Sequence, residues 1–369
     1  MGIFLVEKNN TKPHVSIIVH NYNGLKKLQT CLISLLKSNY PNMKIIVVDA
    51  LTTGIENWIK SFSKDIDLLH FDRDDGIPIR RNSGLKLIDA SSKYVVFMDE
   101  DVTVSKNWLF PLIDAMESDS AIGAAQPVML SKRRNCIIDN AGCYIDFFGY
   151  PHRDEILNHE ILNNCTKDIS YAETAAILVR SEFLNALPNP HEPFDPDYLV
   201  HWYDIDFCWK ILLSGFRVVI VPNSIVYHER RLSAGSWRLP YRNIFLNTRN
   251  RFVTLIKNYS FWNLMRFVPP FILLEITRSV ILLKRKPRHA IATFHGILWV
   301  LRNLKSISVK RSVVQKLVRK VHDSFVLARF LRPNFLRLYR DFQVNYSVST
   351  QYPVSVQSSL SYEMETETL

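Results

Sequence analysis

Strand-like segments alternate with helical ones between residues 15 and 98, and this alternation limits the available folds more than any other feature of the chain. Val15-Ser16-Ile17-Ile18-Val19 is short, apolar and largely β-branched, as a fully buried strand is. The turn His20-Asn21-Tyr22-Asn23-Gly24 follows. Leu25, Leu28, Leu32, Leu35 and Leu36 then recur at helical spacing until Asn39-Tyr40-Pro41 stops the helix. Lys44-Ile45-Ile46-Val47-Val48 repeats the strand pattern and ends at Asp49. Residues 55–62 read as a helix, 68–71 as a short strand, and 80–90 as a further helix leading into Tyr94-Val95-Val96-Phe97-Met98. Such alternation implies parallel βαβ units and a mononucleotide-binding half-sheet.

The last run stops abruptly at Asp99-Glu100-Asp101. Three carboxylates at the tip of a buried strand repel one another and lose hydration, so they need compensation. Two readings stand: a strand-end turn with solvated acids, or a site for a divalent cation that takes hard oxygen ligands. In open α/β sheets the carboxyl ends of the strands are where ligands bind, and a parallel sheet would bring Tyr22, Asp49 and the acidic triplet together there. An aromatic ring beside a carboxylate suits a nucleobase, although both are also ordinary turn residues. The chain has no GxGxxG or Walker sequence, which disfavours a dinucleotide or P-loop site. A diphosphate would need another counter-charge, which a metal on the triplet, together with Arg81, supplies.

Past Asp101 the pattern loosens. Residues 108–116 read as helical and 121–130 as extended; 131–172 are loop-rich, and 174–179 form another strand. The Pro-rich loop Pro188-Asn189-Pro190-His191-Glu192-Pro193 precedes a helix over 204–214 and a strand over 216–221. Asp204 is explained as a first-turn acid of that helix; placed across a cleft from a metal, it would instead deprotonate an acceptor hydroxyl. His228 is explained as a structural or surface residue, yet an imidazole beside carboxylates is also compatible with Mg2+ or Mn2+.

Taken in order, these segments resemble a family-2 glycosyltransferase of the GT-A fold, of the rhamnosyltransferase-like kind. Residues 15–24 resemble the family's opening strand and turn. Residues 40–49 resemble its second strand, with the nucleotide-binding aspartate at Asp49. Arg81-Asn82-Ser83-Gly84 matches its Arg-Asn-x-Gly helix start, and Asp99-Glu100-Asp101 stands at its DxD position. Asp204-Ile205-Asp206-Phe207-Cys208-Trp209 matches the helix that begins with its catalytic base, and Val226-Tyr227-His228 the segment with a metal-binding histidine. Arg249-Asn250, followed by a basic helical tail, is also typical. Tyr203 stands where the family usually has Glu, His20 where Pro is usual, and Ala50-Leu51-Thr52-Thr53-Gly54 replaces an Asn/Ser-rich turn.

The resemblance implies a Rossmann-like nucleotide-binding half-sheet plus an acceptor half, with a basic, helical C-terminal extension. It implies inverting, metal-dependent transfer of a hexosyl or deoxyhexosyl group from a nucleotide-diphosphate sugar to a hydroxyl of a glycan or lipid-linked saccharide. In that reading Asp204 is the base, and Tyr22, Asp49, Arg81 and Asp99 bind the donor. Asp99, Asp101 and His228 hold Mg2+ or Mn2+. A nucleotidyltransferase on a related fold and a catalytically idle membrane-binding relative are the alternatives.

Charge divides the 369-residue chain. Acids outnumber Lys and Arg over residues 1–226, bases outnumber acids several-fold over 227–345, and the net charge is +11. This asymmetry suggests one part for chemistry and another for attachment to something anionic. The apolar stretch 269–283 is too short to span a bilayer, is interrupted by Glu275 and Arg278, and runs into Lys284-Arg285-Lys286-Pro287-Arg288; a second amphipathic stretch covers 290–304. These would lie on an anionic membrane surface or pack as ordinary helices on the catalytic domain. No nucleic-acid motif is present. The expected division is a catalytic domain over 13–232, a basic helical region over 233–345, and a disordered tail over 346–369. Five cysteines without a CxxC pair, and only Ile3-Phe4-Leu5-Val6 as an N-terminal apolar run, lead to the expectation of a cytoplasmic protein, peripheral on the cytosolic membrane face.

Overall fold

The computed structural model describes residues 12–132, 138–153, 165–229 and 240–331. Strand β1 (Val15–Tyr22), helix α1 (Leu25–Leu36), β2 (Met43–Ala50), α2 (Ile55–Phe62), β3 (Ile66–Phe71) and α3 (Ile77–Gly84) lead to β4 (Tyr94–Asp99). β1 pairs in parallel with β2 and with β4, and β2 with β3, so the expected half-sheet is present. Register sets Asn21 beside Asp49 and His20 beside Asp99, which brings the three strand ends to one edge of the sheet.

Both faces of these strands are covered. Ile17 and Val19 of β1 share a core with Leu28, Leu32 and Leu35 of α1, whereas Ile18 belongs to a second core on the other face. Each such fully buried aliphatic side chain contributes roughly 1.5–3 kcal/mol, which is why the strands read as continuous apolar runs.

The helix expected over 80–90 instead spans Ile77–Gly84, with a 3-10 turn at Leu85–Leu87. Pro78 sits in its first turn, where a missing N–H costs nothing. Gly84 rests on the sheet: a Cβ there would come within 2.6 Å of Ile18 Cγ2 and 2.9 Å of Val48 Cγ2.

The second half extends the sheet. It comprises β5 (Val102–Val104), α4 (Leu109–Ser118), β6 (Ile122–Ser131), β7 (Ile138–Asn140), the hairpin of β8 (Cys143–Ile145) and β9 (Pro151–Arg153), β10 (Lys167–Asp168), β11 (Ala176–Arg180), α5 (Ser181–Asn185), α6 (Tyr203–Leu213) and β12 (Arg217–His228). β11 runs antiparallel between β4 and β6, and β6 pairs in parallel with β12, giving a mixed, ten-stranded sheet among the described residues. The strand expected over 216–221 continues to His228 through an irregularity between Val221 and Ile225, where Pro222 cannot donate to the ladder. Its far end pairs with β5, His228 opposite Val102.

Helices α7 (Tyr241–Asn258), α8 (Phe261–Leu283), α9 (Pro287–Arg302), α10 (Leu304–Val313) and α11 (Asp323–Leu327) make the C-terminal part helical, as its sequence suggests. Leu255, Tyr259, Phe271, Val300 and Val326 bury in the same core as Phe207 and Trp209 of α6. The expected boundary at 232/233 and the tail 346–369 lie outside the described residues. No described helix is long and apolar enough to cross a membrane.

Candidate active site

The ends of β1 and β2 form one side of the site. Tyr22 is exposed, and the guanidinium of Arg80 lies 5.5 Å from its ring centre. Asp49 is fully buried and faces inward. Its carboxylate accepts from Asn21 Nδ2 at 2.5 Å, Thr52 Oγ1 at 2.6 Å and His70 Nδ1 at 2.6 Å. A base could reach it only if one of these partners gave way. The Leu51–Gly54 turn that departs from the family pattern therefore supplies a ligand to Asp49 itself, through Thr52.

The acidic triplet divides into three environments. Asp99 accepts from Arg81 Nη2 at 2.5 Å, and burial raises its pKa more than the guanidinium lowers it. Glu100 is pushed up to about 8 by burial and then by Asp99 and Asp101. Asp101 is held below its usual value: burial acts to raise it, but hydrogen bonds and charge from His228 and Lys27 outweigh that. Lys27 Nζ lies 3.0 Å from Asp101 Oδ2, and His228 Nε2 lies 3.3 Å from Oδ1.

His228 is oriented from behind, since its Nδ1 is 3.0 Å from Asp139 Oδ2 on β7. Burial lowers its pKa, but bonds to Asp101 and Asp139 raise it to about 10 overall. The ring is thus a protonated imidazolium paired with two carboxylates, and Nε2 would have to give up its proton before it could ligate a metal, with Asp139 then fixing the ring from behind. Among the described residues no three His, Cys, Asp or Glu side chains form a ready metal cluster. A cation at Asp101 would have to displace Lys27 and the His228 proton from its two oxygens, and would draw its remaining ligands from phosphate, as Mg2+ usually does.

Arg81 links these acids to α6. It is fully buried, and its Nε and Nη1 have no partner among the described residues. It feels the charges of both Asp99 and Asp204, and its guanidinium lies 5.9 Å from the ring centre of Tyr203. Tyr203, at the position where Glu is usual, accepts from Thr174 Oγ1 at 3.0 Å. Asp204 is half-buried; its Oδ1 accepts from the Ile205 N–H at 2.9 Å. Burial, and then the charge of Glu173, push its pKa up to about 7. A carboxyl tuned near neutrality beside a buried cation is suited to general-base work.

Sequence reasoning missed Lys27, Asp139, Arg80 and His20 as members of this site. His20 Nε2 accepts from Arg80 Nε at 2.9 Å, and Arg80 Nη1 bonds Asp74 at 2.8 Å. His20 was visible as a departure from the family pattern; Asp139 lay in a segment that carried only a loop signal.

Comparisons with known proteins bear on the family and the fold. Residues 16–181 match the family model described as glycosyl transferase family 2. Over 222 residues the chain is 26% identical to the pre-mycofactocin glycosyltransferase of Mycobacterium tuberculosis; the match covers 59% of this chain and 42% of that protein, so the chain spans less than half of that relative's length. GalNAc-T7, solved with UDP, GalNAc and Mn2+, superposes with a TM-score of 0.57 at 14% identity, over 81% of this chain and 58% of that one. Residues 1–349 of S. aureus TarS, solved with UDP-GlcNAc, superpose with a TM-score of 0.52 at 16% identity, over 82% and 90% of the two chains. The architecture is the α/β GT-A fold.

Proposed function

On the premise of a family-2 glycosyltransferase domain over residues 16–181, we propose that this protein transfers a sugar with inversion from a nucleotide-diphosphate donor to a hydroxyl of a glycan or lipid-linked saccharide. The carrying observation is Asp204, a half-buried carboxyl with a pKa near 7 at the start of α6, electrostatically coupled through Arg81 to the acids at the end of β4. The acceptor is met at the cytosolic face of a membrane, and the sugar is a hexose or deoxyhexose.

The donor's base lies against the exposed ring of Tyr22, over a floor that Asp49 braces from below. Arg81 offers its two unpartnered donors to the diphosphate. Asp204 removes the proton from the acceptor hydroxyl while that oxygen bonds to the anomeric carbon. The bond from that carbon to the phosphate oxygen breaks on the opposite face, and the electron pair leaves with the nucleoside diphosphate. When bound by Asp101 and His228, with Asp99 assisting, Mg2+ or Mn2+ supplies positive charge against the departing diphosphate.

A thermal-shift panel of nucleotide sugars with and without Mn2+ tests donor and metal together. One donor should stabilise the protein when Mn2+ is present. Asp204→Asn should keep that shift and lose transfer by at least ~100-fold. Normal transfer by this variant would remove Asp204 from its role, and release of pyrophosphate instead of a nucleoside diphosphate would indicate nucleotidyl transfer.

A further inference from the structure

We propose that the outward face of α8, with the basic turn that follows it, seats this protein flat on an anionic lipid surface. α8 is apolar on two sides. Inward, Phe267 and Phe271 bury in the core. Outward, Trp262, Met265, Leu273, Ile276 and Val280 fall on one stripe at multiples of three or four residues, with Trp262 80% and Leu273 66% exposed. Most of the large apolar side chains exposed among the described residues lie between Phe261 and Leu317, and the catalytic half exposes few. An apolar stripe of this kind marks a binding surface.

Charge selects the occupant. From residue 261 to residue 320 the sequence contains one acid, Glu275, which is 2% exposed and lies 3.3 Å from Arg251. The outward charge is therefore entirely positive, and Lys284, Arg285 and Arg288 are exposed at the end of the stripe. A second copy of this chain would bring the same positive charge against itself. A nucleic acid would use the charge and leave the apolar stripe in water. An anionic bilayer satisfies both, with headgroups at the basic turn and acyl chains under the stripe. No described helix is long and apolar enough to cross a membrane, so α8 lies in the interface plane. The purpose of this seating rests on the proposed membrane-borne acceptor; the seating itself does not.

The test is cosedimentation of the full chain with phosphatidylcholine vesicles, with and without phosphatidylglycerol. Binding should require the anionic lipid and fall as salt is raised. Leu273→Glu with Ile276→Glu, and separately Lys284→Glu with Arg285→Glu, should each weaken it by about tenfold or more with the melting temperature little changed, because all four positions are exposed. Wild-type indifference to phosphatidylglycerol, or undiminished binding by both variants, overturns the proposal. So does a stripe variant that only converts a dimer to a monomer, which would show a second copy on this face. Transfer to a soluble acceptor without vesicle binding would count against the seating alone, and vesicle binding without any transfer would count against the enzymatic reading alone.

Discussion

Asp204 and Asp206, two positions apart at the start of α6, have opposite fates. Asp206 is buried; burial acts to raise its pKa, but Lys210 at 2.9 Å and Lys257 at 3.1 Å hold it below the usual carboxylate value. It is a structural anion. Asp204 has no such lysines among the described residues, and burial and then Glu173 raise its carboxyl to about 7. A base must be deprotonated to act, so kcat/KM should rise with pH through about 7 and be lost below it; a pH–rate profile flat across that range would contradict the assignment. His228 depends on Asp139 for its orientation. Asp139→Ala should raise the Mn2+ concentration needed for half-maximal stabilisation by roughly 10–100-fold, as read by metal titration in the thermal-shift assay.

At the scale of elements, the approach to α6 is strained and clamped. Leu199, His201 and Trp202 all have positive φ, at 61°, 62° and 68°, a conformation that costs non-glycine residues of order 1–3 kcal/mol each. Asn250 of α7 opposes that cost: its Nδ2 donates to the carbonyls of Tyr198 at 3.0 Å, Val200 at 2.9 Å and His201 at 3.0 Å. Arg249 adds bonds to the carbonyls of Asp197 and Tyr198. Gly76, just before α3, meets the loop where a Cβ would lie 3.0 Å from Leu199 Cα, and the Ile77 N–H donates to Leu199 O at 2.8 Å. The Arg-Asn pair thus positions the helix that carries Asp204. Asn250→Ala should destabilise the protein by about 1–3 kcal/mol and lower turnover while leaving the donor-induced thermal shift intact. Equal loss of donor binding would mean that the clamp serves the nucleotide side instead.

At the scale of the whole molecule, a buried ionic network ties the C-terminal helices to the catalytic half. Lys257 of α7 contacts Asp195 at 2.8 Å and Asp206 at 3.1 Å, and Lys310 of α10 reaches Asp195 at 2.5 Å. Burial acts to raise the Asp195 pKa, but Lys257, Lys310 and Lys210 bring it well below the usual value. Both Asp195 and Asp206 have depressed folded-state values, so their contribution is present above the unfolded carboxylate range near pH 4 and is lost as pH falls further. Lys257→Met would leave two buried carboxylates under-compensated and should cost about 3–5 kcal/mol in denaturant unfolding at pH 7. A cost under 1 kcal/mol would mean that the helices are held by apolar packing alone.

The half-sheet, its strand ends and the helix that carries Asp204 in its first turn were legible because they depend on local signals: apolar runs, helical spacing, a proline stop, and acids where a run ends. A basic C-terminal half was legible from charge alone. Contacts between distant segments were not. Asp49 looked like a nucleobase ligand, but burial and three neighbours fill its oxygens. Lys27 and Asp139 carry no motif, and meet the site only because α1 follows β1 and β7 pairs with β6. Residue order by itself determined which elements form and which of them end in acids. Tertiary structure decided which of those charges are spent inside the protein and which are left for a ligand, because a carboxylate's partners are set by what folds against it across the chain.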